Sequence, residues 1–229
     1  MSSAFNRAPW MAGIAAIATC TAMLLYPGGT ALDHSTVGYR VAGNFLSDLG
    51  MTVAYDGQPN HTGAALFVAS IVLLIVGMGG ALVGFVKLYA AHRSARRFAW
   101  GAAALGMLDC LCFLGVALAT EDRAMSLHVA FTLAGFRILP LVVVLLTLAA
   151  RATEVTAQSV VRGWALLAAV LIAYVVMLQG GAWTATDAGF TTQVIAQKVV
   201  AIVMVSVVSW QCRSASRVIP RPRPVPLQT

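Results

Sequence analysis

The chain has 229 residues, of which 59% are hydrophobic and 10% charged, with a formal net charge of +7. So large an apolar share, gathered into blocks about 20 residues long, excludes a soluble globular domain and reads as a polytopic membrane protein. The basic residues fall in short connections and the C-terminal tail rather than on one face with interleaved aromatics, which argues against nucleic acid as a partner.

The first apolar segment covers residues 10–26. A signal peptide is the alternative there, with Arg7 as its basic start and Gly29, Thr30 and Ala31 as a poor cleavage site, but the apolar run is long for that role. A long connection follows. It carries NFLSDLG, residues 44–50, which groups the amide of Asn44, the hydroxyl of Ser47 and the carboxyl of Asp48 beside a membrane span. Asn60, His61 and Thr62 then match the glycosylation pattern and read as a loop-to-helix junction.

The second segment, 63–90, contains GMGGALVG. Gly80 with Gly84, and Gly77 with Ala81, place small residues one turn apart, where helices approach closely in lipid. That spacing serves packing inside a bundle, and a homodimer through the Gly80/Gly84 face is the alternative. The third segment, 98–119, holds Asp109; the fourth, 126–150, follows the acids Glu121 and Asp122 and holds His128 and Arg137; the fifth is 161–178; the sixth, 191–210, holds Gln193, Gln197 and Lys198. Residues 213–229 are Pro-rich and basic and read as a disordered tail attracted to anionic lipid. Cys20, Cys110, Cys112 and Cys212 lie in or at the ends of apolar segments, where thiols act as small hydrophobes, and no disulfide framework or metal spacing results.

Residues 1–212 thus form one all-α domain, an integral membrane six-helix bundle. Lys and Arg concentrate before the first segment, between the second and third, between the fourth and fifth, and after the sixth. This puts both termini in the cytoplasm and NFLSDLG outside, in a multi-pass plasma-membrane protein.

Two polar groups follow from the topology. Asp109, Arg137 and Lys198 each lie roughly 12 to 17 Å from a helix end, near the bilayer midplane, and are expected to form an intramembrane charge network. Their alternative role is a clamp between helices. Asn44, Ser47, Asp48, His61, His128, Gln193 and Gln197 are expected to rim an outward-facing pocket. His128 and Arg137 are nine residues apart, about 180° around an ideal helix, so both face the bundle axis only if Gly135 and Pro140 distort it. The local alternative makes SDLG a capping turn, in which Ser47 or Asp48 satisfies backbone N–H groups and Gly50 takes a positive φ.

NFLSDLG, then a short loop with Pro59, a helix containing Phe67, and later an acidic pair followed by His128 at a helix start resembles the bacterial six-helix membrane family catalogued as domain of unknown function 998. More distantly, SDLG ahead of a Pro and a Phe resembles the eukaryotic Frag/DRAM/Sfk membrane family, some of whose members are associated with lipid remodelling or organisation. The likeness covers most of residues 10–212 in topology and points to Asn44, Ser47, Asp48, Gly50 and His128. EDRAMSLH, residues 121–128, lacks the Phe-Pro pair expected before the acid. The resemblance brings no reaction with it.

The functional expectation is binding or transport of a lipid headgroup or small anion, with membrane lipids as partners and no covalent chemistry. A membrane hydrolase or transferase acting on lipid is the alternative, with zinc at His61, His128 and Asp48 and His34 recruited for a three-His site. The ligand types suit zinc, yet no HExxH or close His pair exists, so no cofactor is expected. Ser47 lacks the Gly-flanked elbow of an activated nucleophile. A purely structural membrane protein is the third reading.

Overall fold

In hydrocarbon every backbone polar group must be bonded within the protein, so apolar runs of this length become helices. The structure, a computed structural model, describes residues 2–154, 156–179 and 186–218. It contains α1 (Ser2–Leu25), α2 (His61–Leu88), α3 (Arg93–Leu118), α4 (Glu121–Arg151), α5 (Gln158–Gln179) and α6 (Asp187–Val218). All six are long and apolar enough to cross a membrane. Large apolar side chains such as Trp10, Leu24, Trp100, Leu111 and Ile202 stay exposed, as a surface turned to lipid requires.

The helices run past the apolar limits because their polar end turns still bond their own backbone. At the far end, α6 continues through residues 213–218, so the start of the expected tail is helical. The rest of that tail lies outside the described residues.

Each helix packs on its chain neighbours, and α1 also meets α6, closing a ring. Contacts between opposite ends fix an antiparallel order: Phe5 of α1 meets Phe85 of α2 at 4.9 Å, and Gly163 near the start of α5 lies under Trp210 near the end of α6. Phe85 reaches across to Trp164 of α5 at 5.5 Å and fills the ring at the end that carries both termini. Phe136 and Tyr174 pair edge to face at 4.9 Å between α4 and α5.

The small-residue face of α2 is used within this ring. A Cβ on Gly84 would stand 2.8 Å from Phe5 Cζ, and one on Gly77 would stand 3.3 Å from Met11 Cβ. Gly80 has open space around it. Gly84→Val is therefore expected to cost about 1–3 kcal/mol through overpacking, read as a lower unfolding midpoint in detergent and partly recovered by Phe5→Ala. An unchanged midpoint would show that Phe5 has another seat.

At the opposite end the connection from Tyr26 to Asn60 folds back over the ring, held by isolated bridges Gly28 to Val37 and Val53 to Pro59. Gly29 permits the crossing, with φ +80° and a hypothetical Cβ only 2.5 Å from the Asp56 nitrogen. Inside the loop, Ser47–Gly50 makes a single 3-10 turn, η1, that is wholly buried.

Candidate functional site

The buried turn is the centre of the polar chemistry. Asn44 and Asp48 are both 0% exposed, and Leu49 beside them anchors the loop in a cluster with Tyr26, Ala54, Phe67 and Ala117. Gly50 is needed for contact, not for conformation: its φ is not positive, but a Cβ there would meet the Phe67 ring at 2.7 Å. Phe67 thus explains the glycine that a left-handed turn was expected to require.

Asn44 organises the loop around it. Its Oδ1 accepts the Arg40 N–H at 2.9 Å, while Nδ2 donates to Gly29 O at 2.9 Å and to Asp48 Oδ2 at 3.0 Å. Asp48 Oδ2 also accepts the Phe45 N–H at 3.1 Å. Asp48 thus satisfies a backbone N–H, as one part of the expectation for SDLG had it, although the turn itself carries no side-chain cap. Ser47 instead points out of the loop and donates to Glu121 Oε1 of α4 at 2.6 Å.

Two helices hold this loop from below. From α6, the Gln197 side chain accepts the Leu46 N–H at 2.8 Å, and Lys198 donates to Asn44 O and, more loosely at 3.4 Å, to Val194 O. Lysine stems lean toward the helix N-terminus, which lets the ammonium of Lys198 climb from within the span to the loop. The Tyr39 ring lies 5.4 Å from that ammonium, and its hydroxyl donates to the Asn44 and Phe45 carbonyls.

From α4 come Glu121, Asp122 and His128. Ala124 departs from helical geometry (φ −147°, ψ 51°), so the first turn of α4 is set off from the rest. Across this kink Glu121 Oε1 lies 3.1 Å from His128 Nε2, with both side chains buried. His128 Nδ1 lies 2.8 Å from Ala119 O, so both ring nitrogens face acceptors and the imidazolium is the form that donates to both. Glu121 Oε2 receives the Tyr55 hydroxyl at 3.3 Å, and Asp122 Oδ2 receives Thr52 N–H, Thr52 Oγ1 and Val53 N–H at 3.0, 2.6 and 3.1 Å.

The surroundings of Asp48 favour its protonated form. Burial, reinforced by the charge of Glu121, pushes its carboxyl up to about 8, against the opposing bonds from Asn44 and Phe45 and the charge of Lys198. Burial and then Asp48 also raise the phenols of Tyr26, Tyr39 and Tyr55, which stay protonated; Tyr39 and Tyr55 donate, while the Tyr26 oxygen accepts the Tyr55 N–H. Among the described residues, Asp48 Oδ1 and Asn60 Oδ1 are buried without a hydrogen-bond partner. Asn60 otherwise ties the loop, donating to Leu49 O and Met51 O.

The expected pocket residues separate into those brought together and those left apart. Asn44, Ser47, Asp48, His128 and Gln197 share one hydrogen-bonded cap, and Gln193 is buried one helical turn from Gln197. His61 stands exposed at the start of α2. Instead of an open vestibule, the loop itself occupies the space between the helix ends.

The three midplane charges do not meet. Among the described residues the ion pair is Glu121 with His128. Asp109 is buried with Oδ1 unpartnered, Arg137 is exposed on the outside of α4, and Lys198 serves the loop. Since His128 faces inward, the nine-residue spacing sends Arg137 outward despite Gly135 and Pro140.

Neither covalent reading finds its geometry. His128 spends both nitrogens on Ala119 and Glu121, and Ser47 donates to Glu121, so serine and histidine form no nucleophile–base pair. Among the described residues no three His, Cys, Asp or Glu side chains converge as metal ligands, His61, His128 and Asp48 included.

Tyr39, Tyr55, Thr52 and Asn60 complete the cap and were not legible as site residues. Single aromatics and hydroxyls in a loop carry no spacing signal; only the excess of tyrosines in so short a connection sets it apart. In comparisons with protein-family models, curated proteins and solved structures, the chain finds no match. The fold and the buried cap define a polytopic membrane protein with an ionisable, closed loop end.

Proposed function

We propose that this chain binds or transports a lipid headgroup at the loop end, without covalent chemistry. The observation that carries the reading is Asp48: a carboxyl buried at 0% exposure, one oxygen of which has no partner, although Tyr39, Asn44 and Ser47 around it are hydrogen-bonded. A buried, unsatisfied carboxyl is costly, and such groups in membrane proteins mark ligand or ion paths. A headgroup ammonium matches Asp48 Oδ1, the carboxyl giving up its proton as the positive charge arrives.

The small-anion version has less support, because Lys198 is committed to backbone carbonyls and Arg137 faces away. Entry requires the loop to lift from α4 and α6, and its ties to Glu121, Gln197 and Lys198 are the latch. The charge distribution supports an outward loop end and cytoplasmic termini in the plasma membrane. The resemblance to the domain of unknown function 998 family directs attention to the same Asn44, Ser47, Asp48 and His128.

The test is lipid retention by the full chain in nanodiscs of phosphatidylcholine doped with phosphatidylethanolamine, read by native mass spectrometry. Loss of one charge-assisted hydrogen bond predicts about tenfold less retained phosphatidylethanolamine for Asp48→Asn, with insertion unchanged. Equal retention by Asp48→Asn and the parent would overturn the reading.

A further inference from the structure

A second polar region lies at the other end of the bundle, where both termini emerge. A cavity of about 380 Å³ opens between the end of α4 and the start of α5, bounded by Arg151, Thr153, Thr156, Gln158 and Arg162. This is within the range of about 300–1,000 Å³ typical of small-molecule sites. A smaller cavity of about 170 Å³ shares Thr156 and extends toward α6, where Gln211, Ser214 and Arg217 line it.

Three features of this pair of cavities point to one chemistry. Arg151 and Arg162 project from successive helices across one space, and among the described residues neither is in an ion pair. The guanidinium fork matches phosphate oxygens, and the start of α5 at Gln158 adds the positive end of a helix to the same wall. Gln211 supplies the independent sign of a ligand. Its Nε2 donates to Val160 O at 2.8 Å, but its Oε1, on a residue 0% exposed, has no partner among the described residues.

We propose that the paired cavities between α4, α5 and α6 form a binding site for a phosphate ester that also carries a hydroxyl, seated as the headgroup of an anionic phospholipid. The phosphate sits between Arg151 and Arg162, where Thr156 and Gln158 line the same space. A headgroup hydroxyl donates to Gln211 Oε1 in the smaller cavity. Arg217 adds positive charge beside it, and exposed Glu154 is the acidic residue next to the turn. The position suits a lipid, since basic pockets between helix ends at the cytoplasmic face bind anionic headgroups. Glycerol and inositol headgroups supply the required hydroxyl. A soluble sugar or glycerol phosphate has the same chemistry.

The site shares no residue with the loop end, so either proposal stands if the other fails. The test uses the full chain in nanodiscs of phosphatidylcholine doped with phosphatidylglycerol, with retained lipid read by native mass spectrometry. Arg151→Gln with Arg162→Gln is expected to lower phosphatidylglycerol retention about tenfold or more, as loss of two charge-assisted contacts predicts. Gln211→Leu weakens retention of phosphatidylglycerol but not of phosphatidic acid, which lacks the hydroxyl. Arg213→Gln, which removes the same charge from an exposed position of α6 outside both cavities, leaves retention within about twofold of the parent, since a lone surface charge contributes little. Asp48→Asn leaves phosphatidylglycerol unaffected.

Retention unchanged in the double arginine variant, or lowered equally by Arg213→Gln, would overturn the site in favour of a diffuse basic surface. Glycerol phosphate added to the buffer separates the two sources. Displacement of the lipid by it identifies a soluble ester, lipid held against an excess identifies the headgroup, and both outcomes support the phosphate site. Failure of lipid and ester alike to bind overturns it.

Discussion

Glu121→Ala will loosen the loop end by about 3 kcal/mol, since removing one member of a buried ion pair leaves its partner's charge uncompensated. Glu121 is the junction of the cap: one oxygen takes both Ser47 and His128, and the other takes Tyr55. Its loss strands a buried imidazole and frees two hydroxyls at once. The expected result is a lower unfolding midpoint in detergent, together with faster protease cleavage in the connection between Tyr26 and Asn60. Glu121→Gln keeps an acceptor and loses less. A cycle with His128→Gln should give a coupling of about 0.5–3 kcal/mol, and additive losses would dissolve the pair.

The second large effect is on pH dependence. Asp48 has an ordinary value of 3.8 and is held near 8 in the folded chain. Between those values the folded chain keeps a proton that the released loop gives up. Stability of the loop end is therefore complete below about pH 4 and is lost as pH rises through about 8. Asp48→Asn keeps an acceptor for Phe45 N–H and the Asn44 amide yet never ionises. It should match the parent at about pH 3 and exceed it by a few kcal/mol at about pH 9. Parallel profiles for the two proteins across this range would show that Asp48 does not carry the dependence.

These expectations concern partnerships of unequal legibility. The motif NFLSDLG was visible because an amide, a hydroxyl and a carboxyl are conspicuous in a chain this apolar. The bond from Asn44 to Asp48 is four residues long, and local spacing favours it. Lys198 was read from its depth as part of a midplane network with Asp109 and Arg137. Depth along a helix fixes height but not azimuth, and a lysine stem is long enough to leave its own level. In the fold the ammonium reaches Asn44 O, across 154 residues of sequence. Arg137 follows the rotation of α4 that His128 sets, and so leaves the interior. His61 shows the converse: its place at a helix start suited a pocket rim, but it lies on the exposed side of the first turn of α2, whose Gly63 and Ala64 face inward.

The number of helices, their apolar surfaces and the grouping of polar residues at one connection were determined by the sequence alone. Hydrophobic run length and backbone bonding within a helix are local properties, read correctly without knowing any neighbour. What only the tertiary structure decided is that the long connection fills the loop end instead of framing an opening. That outcome depends on Leu49 and Phe67 burying together, on Gly50 leaving room for the Phe67 ring, and on Glu121, Gln197 and Lys198 arriving from two other helices. Side chains so distant in sequence are matched by packing geometry, and no pattern along the chain records it.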